Sequence, residues 1–130
     1  MRRAAALLAL SLAAGCAAGD ETLSAYGAAG RVWVLERIGE TPASPGITLD
    51  ASVPGRIAGQ GPCNTYSAEQ TAPYPWFSLG PIAATRRACP DMAAEAAFFD
   101  ALRRATIAEV SGDLLILSNT DGLEMVFRAR

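Results

Sequence analysis

The chain has 130 residues, enough for one domain and too few for two, and its 11 arginines against 13 acidic residues leave a net charge of −2. This balance excludes the strongly basic surface that a nucleic acid would need. Lysine and histidine are both absent, which excludes Schiff-base chemistry, Ser-His, Cys-His and Ser-Lys pairs and imidazole metal ligands, so an enzyme of this composition would depend on carboxylates, arginine, tyrosine or bare thiols.

The N-terminus predicts an export signal. The basic start MRR is followed by the apolar run AAALLALSLAA, which is too short to stay in a membrane as a spanning helix, and then by Gly-Cys. The stretch LAAGC is similar to a bacterial lipobox, although such sites usually have Leu where this chain has Ala13. We therefore expect residues 1–15 to be a lipoprotein signal peptide and Cys16 to be lipidated. Ordinary cleavage after Ala17-Ala18, giving a soluble periplasmic protein, is the alternative.

Residues 16–29 are small, polar and unpatterned, and predict a flexible tether between a lipid anchor and one β domain that spans residues 30–130. Ala17 stands where the usual inner-membrane retention signal has Asp, which favours the outer membrane, facing the periplasm. The expected partners are the membrane, reached through the lipid, and an envelope protein or small ligand. We expect a monomer without nucleic acid, cofactor or metal.

The first half of the domain predicts strands. Segments that alternate or are rich in β-branched and aromatic residues are RVWVLERI (31–38), ITLDASV (47–53) and RIAGQG (56–61), with weaker candidates at WFSL (76–79) and PIAATR (81–86). The second strand places Ile47, Leu49, Ala51 and Val53 on one face. Two prolines and two glycines predict a loop at 39–46.

The period then changes to that of a helix over DMAAEAAFFDALRRA (91–105), which follows Pro90 and ends near Arg103 and Arg104, where cations suit the helix dipole. Its predicted apolar face consists of Met92, Ala96, Phe99 and Leu102. The strands TIAEV, DLLIL and LEMVF follow, separated by two turn sequences. This order predicts a mainly β (α+β) fold, a small curved antiparallel sheet or barrel with one helix covering an open end.

Cys63 and Cys89 are the two cysteines left once Cys16 is assigned to lipid. In an exported chain an even remainder favours a disulfide, and closing a loop of about 27 residues would stabilise the fold by roughly 3–4 kcal/mol. Two free thiols, a metal site and a catalytic thiol are the alternatives. No histidine or lysine is present to activate a thiol, and only scattered carboxylates are present to complete a zinc site.

Three polar residues have both a structural and a functional interpretation. Asn64 is expected to bond its own main chain in the turn after Cys63, and a role as an oxyanion donor or ligand contact is the alternative. Asp91 and Glu95 lie four apart on the helix, a spacing compatible with a glycosidase pair. Asp91 is better explained by helix capping, so we expect no catalytic residue.

The arginine pairs 86–87 and 103–104 are expected on a solvated surface, with Glu95 and Asp100 available to neutralise them. A patch for anionic lipid headgroups or a glycan is the alternative. The large aromatic side chains are expected in the core or lining a ligand cavity, and include Trp33, Trp76, Phe77, Phe98, Phe99 and Phe127.

Five segments, in order along the chain, carry a family resemblance: WVL (33–35), GQGPCNTYS (59–67), GPIAATRRACP (80–90), FFDAL (98–102) and GDLLILSNTDGLEMVF (112–127). Together they resemble the META domain of the HslJ type, a family of small bacterial envelope proteins, over nearly all of 31–130. The matching motif positions are Gly61, Cys63, Asn64, Tyr66, Thr85, Arg86, Cys89 and Pro90. Pro62 departs from the pattern, since the family commonly has Gly before Cys-Asn.

The resemblance implies a curved, mainly antiparallel sheet or barrel with one helix, with Cys63 and Cys89 as the family's cysteine pair. Many members of the family are lipoproteins, and the family is associated with envelope stress and drug tolerance in bacteria and with virulence elsewhere. No enzymatic activity is implied. We therefore expect a non-enzymatic, lipid-anchored protein that contributes to envelope integrity or stress tolerance by binding. A lipocalin-like barrel for a small ligand or peptide is the alternative, and a carboxylate hydrolase ranks last.

Overall fold

The structure is a computed structural model that describes residue 15 and residues 18–130. The predicted lipidation site Cys16, and the predicted signal peptide apart from residue 15, lie outside the described residues. No helix within the described part of the chain is long and apolar enough to cross a membrane.

Within residues 18–130 the structure has one α-helix, nine β-strands and a short 3₁₀-helix at Leu23–Tyr26. The strands are β1 (Val32–Ile38), β2 (Thr41–Pro42), β3 (Thr48–Asp50), β4 (Arg56–Gln60), β5 (Thr65–Glu69), β6 (Ala83–Ala84), β7 (Ile107–Ser111), β8 (Leu114–Ser118) and β9 (Glu124–Ala129). The helix α1 (Met92–Arg104) lies between β6 and β7. The predicted mainly β fold with one helix is confirmed.

The strands form one antiparallel sheet in the order β6-β5-β4-β3-β1-β9-β8-β7, and β2 pairs with one end of β1. β1 lies at the centre, where Trp33 is opposite Leu49 of β3 on one side and Ala129 of β9 on the other. The sheet does not close into a barrel. Between its two edges, the segment after β5 makes only two isolated bridges in the described chain, Gln70–Leu79 and Trp76–Ile107, so WFSL does not form the strand that its composition suggested.

The hydrophobic core lies between the sheet and α1. The alternation of β1 and β9 sends Trp33, Leu35 and Phe127 to the same face, as expected for strands with one buried side. The indole Nε1 of Trp33 donates to the carbonyl oxygen of Ala28 at 3.0 Å, which satisfies its only polar atom. Other large side chains with less than 2% exposure include Phe77, Phe98, Leu49, Ile57, Leu102, Leu115, Leu117 and Met125.

The N-terminal edge of the domain begins earlier than the sequence predicts. Leu23 and Ala28 are buried in the core, and the hydroxyl of Ser24 donates to the carbonyl oxygen of Ala51. Tyr26 stacks on Tyr74 with ring centroids 4.7 Å apart. The predicted tether of residues 16–29 is therefore too long at its C-terminal end, because its last seven residues pack on the domain.

The buried face of α1 also differs from the prediction. Of the predicted apolar positions, Leu102 is buried and Phe99 partly buried, but Met92 and Ala96 are exposed. The other buried positions are Glu95, Phe98 and Ala101. The prediction selected apolar residues and left out Glu95. The predicted buried face is therefore turned partly away from the face that the structure buries. Trp76, expected in the core or a cavity, is 59% exposed, and its backbone joins the fold through an isolated bridge to Ile107.

Gly59 of β4 marks a close approach between backbones. A Cβ atom at this position would collide with the carbonyl oxygen of Thr48, would lie 2.8 Å from its carbonyl carbon and would lie 3.1 Å from the hydroxyl of Tyr66. Backbone atoms cannot move aside as a flexible side chain does, so the pairing of β3 with β4 requires glycine here.

We expect Gly59→Ala to lower the free energy of unfolding by at least about 2 kcal/mol, because the added methyl group pushes two paired strands apart. The measurement is urea denaturation of the full chain. Gly80→Ala is the matched control, since its Cβ would meet Glu69 Cβ at 3.6 Å and the Glu69 carbonyl oxygen at 3.9 Å, both ordinary contacts. Equal stability of the two variants would contradict this account of β4.

Candidate functional site

Glu95 of α1 is a buried carboxylate that holds the turn between β4 and β5. It is 5% exposed. Its Oε1 accepts hydrogen bonds from the backbone N–H groups of Cys63 at 3.2 Å and Asn64 at 2.8 Å, and its Oε2 accepts from Asn64 Nδ2 at 2.7 Å. All three partners are donors, so both carboxylate oxygens act as acceptors, and bonds of this kind are stronger than those between neutral groups.

Asn64 has a partner for every polar atom of its side chain. Its Oδ1 accepts from the backbone N–H of Arg87 at 2.6 Å and from the hydroxyl of Thr85 at 2.8 Å. Its Nδ2 donates to the carbonyl oxygen of Arg87 at 3.1 Å as well as to Glu95. The amide oxygen meets only donors and the amide nitrogen meets only acceptors, so the orientation of the amide is fixed.

The predicted interpretation of Asn64 as a turn residue that bonds its own main chain is therefore wrong. Its side-chain bonds reach 21 to 31 residues along the sequence, and no described non-glycine residue has a positive φ. Asn64 instead joins three segments: the β4–β5 turn, the segment after β6, and α1.

Gly61 is required by the same network. A Cβ atom there would lie 2.9 Å from Glu95 Oε1 and 3.0 Å from the carbonyl oxygen of Asn64. The backbone N–H of Gly61 donates to that same carbonyl oxygen at 2.7 Å. Gly61 thus leaves the space into which the carboxylate fits.

A disulfide between Cys63 and Cys89 joins the turn to the segment that precedes α1, with Cα atoms 5.8 Å apart. The bonds between Asn64 and Arg87 link the same two stretches of chain only one and two residues away. A covalent link and a hydrogen-bonded link therefore run in parallel. The neighbouring motif residue Pro90 is exposed and precedes Asp91, the N-cap residue of the helix.

Tyr66 is a buried tyrosine on the inner side of β5. Its ring meets the edges of Phe98 and Phe99 with centroids 5.4 and 5.5 Å away, and its hydroxyl donates to the carbonyl oxygen of Thr48 at 2.8 Å. Burial raises the pKa of Tyr66. Tyr66 is thus a protonated structural donor that packs α1 against β5.

These contacts build the walls of an open cleft of about 650 Å³. One wall is segment 82–88, which includes β6, and Asn64 lies between the walls. The other wall is one side of α1, which contributes Met92, Glu95, Phe99 and Arg103. Their spacings of three and four residues place these side chains on one helix face.

The cleft carries three exposed arginines, Arg86, Arg87 and Arg103. None of them forms a salt bridge with another described residue. The predicted neutralisation is correct for Arg104, which pairs with Asp100 at 2.9 Å. The predicted neutralisation by Glu95 is wrong, because both of its carboxylate oxygens accept hydrogen bonds from N–H donors.

The structure thus brings five of the eight motif residues into one connected group, namely Gly61, Cys63, Asn64, Thr85 and Cys89, and Tyr66 packs beside it on Phe98 and Phe99. It places Arg86 on the rim of the cleft. It leaves Trp33 and Phe127 in the core, fully buried, and Phe99 partly buried between the core and the cleft. Asp91 makes no side-chain capping bond.

Glu95 is the residue of this group whose role the sequence analysis missed. The signal was available, because a charged residue lies among the apolar positions Phe98, Ala101 and Leu102 at helical spacing. Within residues 18–130, no three Cys, Asp or Glu side chains are grouped in a way that could hold a metal ion.

The family model described as META domain matches residues 27–130, in agreement with the resemblance found in the sequence. Among curated proteins no sequence matches the chain.

Solved structures share the fold at low identity. An NMR structure of a protein from Burkholderia xenovorans is 22% identical, with a TM-score of 0.63, and the match covers 95% of this chain and 99% of that one. A crystal structure of a DUF4847 family protein from Bacteroides vulgatus is 14% identical with a TM-score of 0.63, covering 80% and 95%. A further NMR structure is 16% identical with a TM-score of 0.60, covering 75% and 87%.

We expect Glu95→Gln to lower the free energy of unfolding by about 2–3 kcal/mol, because the new NH₂ group faces a donor wherever it is turned. If it takes the place of Oε2 it meets Asn64 Nδ2, and the amide of Asn64 cannot rotate without losing the bond from the Arg87 N–H. Urea denaturation measures the loss.

Asp91→Asn makes the same chemical change one turn earlier on the chain, where the side chain has no capping bond. This control should cost less than about 1 kcal/mol, the range of a helix-dipole effect. Equal losses of unfolding free energy for the two variants would mean that the Glu95 contacts contribute no more to stability than an exposed carboxylate near the helix start.

Proposed function

The chain belongs to the META domain family, and we propose that it is an exported, lipid-anchored protein of the bacterial cell envelope that acts by binding and not by catalysis. In this role it contributes to envelope integrity or stress tolerance. One observation carries the proposal: Asn64 and Glu95 use their polar side-chain atoms on one another, on Thr85 and on nearby backbone groups, and beside them lies an open cleft with three arginines.

Binding is favoured over catalysis because the polar side chains of Glu95 and Asn64 in the cleft already have hydrogen-bond partners within the protein. A carboxylate hydrolase needs two carboxyl groups roughly 5–9.5 Å apart, both available to a substrate or a water. Both oxygens of Glu95 accept bonds from the protein itself. Asn64 has no free donor or acceptor to offer a reacting group.

Export is supported by the disulfide together with the N-terminal sequence. Disulfides persist in oxidising compartments such as the bacterial periplasm and are rare in the cytosol. The bond between Cys63 and Cys89 therefore agrees with the apolar run and LAAGC stretch, which predict cleavage and lipidation at Cys16.

The lipocalin-like alternative has less support, because side chains fill the space that its cavity would need. Trp33 and Phe127 are fully buried in the core between the sheet and the helix. An apolar pocket between Leu35, Ile47 and Phe98 has a volume of only about 110 Å³, whereas ligand sites are typically about 300–1,000 Å³. The surface cleft is therefore the preferred binding site.

We expect Cys16→Ser to release the protein from the membrane fraction, because serine cannot accept the thioether-linked lipid. The measurement is fractionation of cells followed by detection of the full chain. Ala18→Ser, which changes a neighbouring small residue and leaves Cys16 in place, should stay with the membrane. A Cys16→Ser chain that is still membrane-bound would rule out the anchor.

The intact mass of the wild-type chain gives a second check of the same proposal. Protein taken from native membranes should carry the mass of acyl chains, and alkylation should add no label before reduction and two labels after it. Labelling of Cys63 or Cys89 without reductant would contradict export into an oxidising compartment.

A further inference from the structure

The arginines of the cleft differ from most other described arginines in having no acidic partner. Arg31, Arg37, Arg104 and Arg128 each form a salt bridge, with N–O distances between 2.5 and 3.0 Å. The three cleft arginines, Arg86, Arg87 and Arg103, form none with any described residue. In a chain of net charge −2, they concentrate positive charge at one place on the surface.

No acidic group of the cleft is free to neutralise them. Glu95 is the only acidic residue among those lining the cleft, and three N–H groups of the β4–β5 turn already occupy its oxygens. A ligand that enters the cleft therefore meets guanidinium groups without competition from a carboxylate.

The same cleft also offers apolar surface. Ile82 and Phe99 are partly buried beside it, and Met92 at the start of α1 is 47% exposed. Met92 is one of only four large hydrophobic side chains left exposed among the described residues. An unbranched, flexible methionine adapts its shape to ligands better than a branched side chain does.

The chemistry of guanidinium groups selects the ligand class. Arginine binds phosphate and carboxylate through two parallel N–H donors. A carboxylate is planar and one guanidinium covers both of its oxygens, whereas the phosphodiester of a phospholipid is tetrahedral and presents two charged and two ester oxygens in different directions, so several guanidinium groups can approach it. The cleft volume of about 650 Å³ falls in the usual range of about 300–1,000 Å³ for small-molecule sites and exceeds what a phosphate ion needs.

We propose that this cleft binds the phosphate headgroup of an anionic phospholipid, with Arg86, Arg87 and Arg103 around the phosphate and the apolar part of the lipid against Met92 and Phe99. The inference rests on the proposed binding function and deepens it. The proposed anchor supports the choice of a lipid, because residues 16–22 span at most roughly 25 Å when fully extended, so the domain stays near lipid headgroups.

The test is calorimetric titration of the full chain with a water-soluble anionic phospholipid, dihexanoyl phosphatidylglycerol. The chain is purified from whichever cell fraction contains it, and membrane-bound material is held in phosphatidylcholine nanodiscs. Inorganic phosphate and dihexanoyl phosphatidylcholine are titrated in parallel. We expect the anionic lipid to bind, and the other two probes to bind at least about tenfold more weakly.

Two triple variants separate a site from a general effect of charge. The variant R86Q/R87Q/R103Q removes the cleft arginines and should weaken phosphatidylglycerol binding at least about tenfold. The control R31Q/R104Q/R128Q removes the same amount of charge from salt-bridged positions elsewhere, and should bind within about twofold of wild type. Circular dichroism establishes that both variants are folded before they are compared.

Three results would overturn the inference: equal weakening in both triple variants, inorganic phosphate binding as tightly as the lipid, or no binding of the anionic lipid to the wild-type chain. The outcome is independent of the anchor, because the protein is taken from any fraction. Lipid binding by a chain that lacks an anchor would contradict the proposed membrane attachment and leave the cleft site intact. An anchored chain that binds no lipid would contradict the cleft site alone.

Discussion

The burial of the Glu95 carboxylate is the constraint on which the region around the cleft depends. A buried carboxylate without partners would cost several kcal/mol, and here three N–H groups of one tight turn remove that penalty. The turn keeps the required shape only if position 61 has no side chain, since a Cβ would press on the carboxylate. Asn64 then bonds Arg87 and Thr85. The helix, the turn and the segment after β6 are therefore held in fixed positions relative to one another.

The disulfide and the hydrogen-bonded network support the same junction by different means. The Cys63–Cys89 link acts mainly by restricting the unfolded chain, and it leaves open how the turn faces the helix. The bonds of Asn64 and Glu95 depend on distance and direction, and they fix the turn against α1. Two independent links hold the two walls of the cleft together, and a preformed site would lower the entropic cost of the proposed binding. Arg87 joins the network through its backbone, whereas the guanidinium groups of Arg86, Arg87 and Arg103 take no part in it, as the proposed lipid site requires.

Much of the fold was predictable from local pattern, and the candidate site only in part, since the sequence singled out the motif positions and the arginine pairs but not the contacts that join them. Alternation and turn residues located β1, β4 and the last three strands, and the change of period located α1 to within a residue. β5 was missed, because TYSAE contains few β-branched or aromatic residues, and its pairing with β4 over five positions makes it a strand. Glu95 was misjudged because charge normally indicates a solvated face, and only the N–H groups of a turn 31 residues away make its burial favourable.

We conclude that Asn64 and Glu95 act as one structural unit. A double-mutant cycle tests this directly, through the urea unfolding free energies of the wild-type chain, Asn64→Ala, Glu95→Ala and the double variant. We predict that the double variant loses less stability than the sum of the two single losses, with a coupling of at least about 1.5 kcal/mol, because either truncation already breaks the shared bonds. Losses that add to within about 0.5 kcal/mol would show that the two residues contribute separately, and would contradict the account.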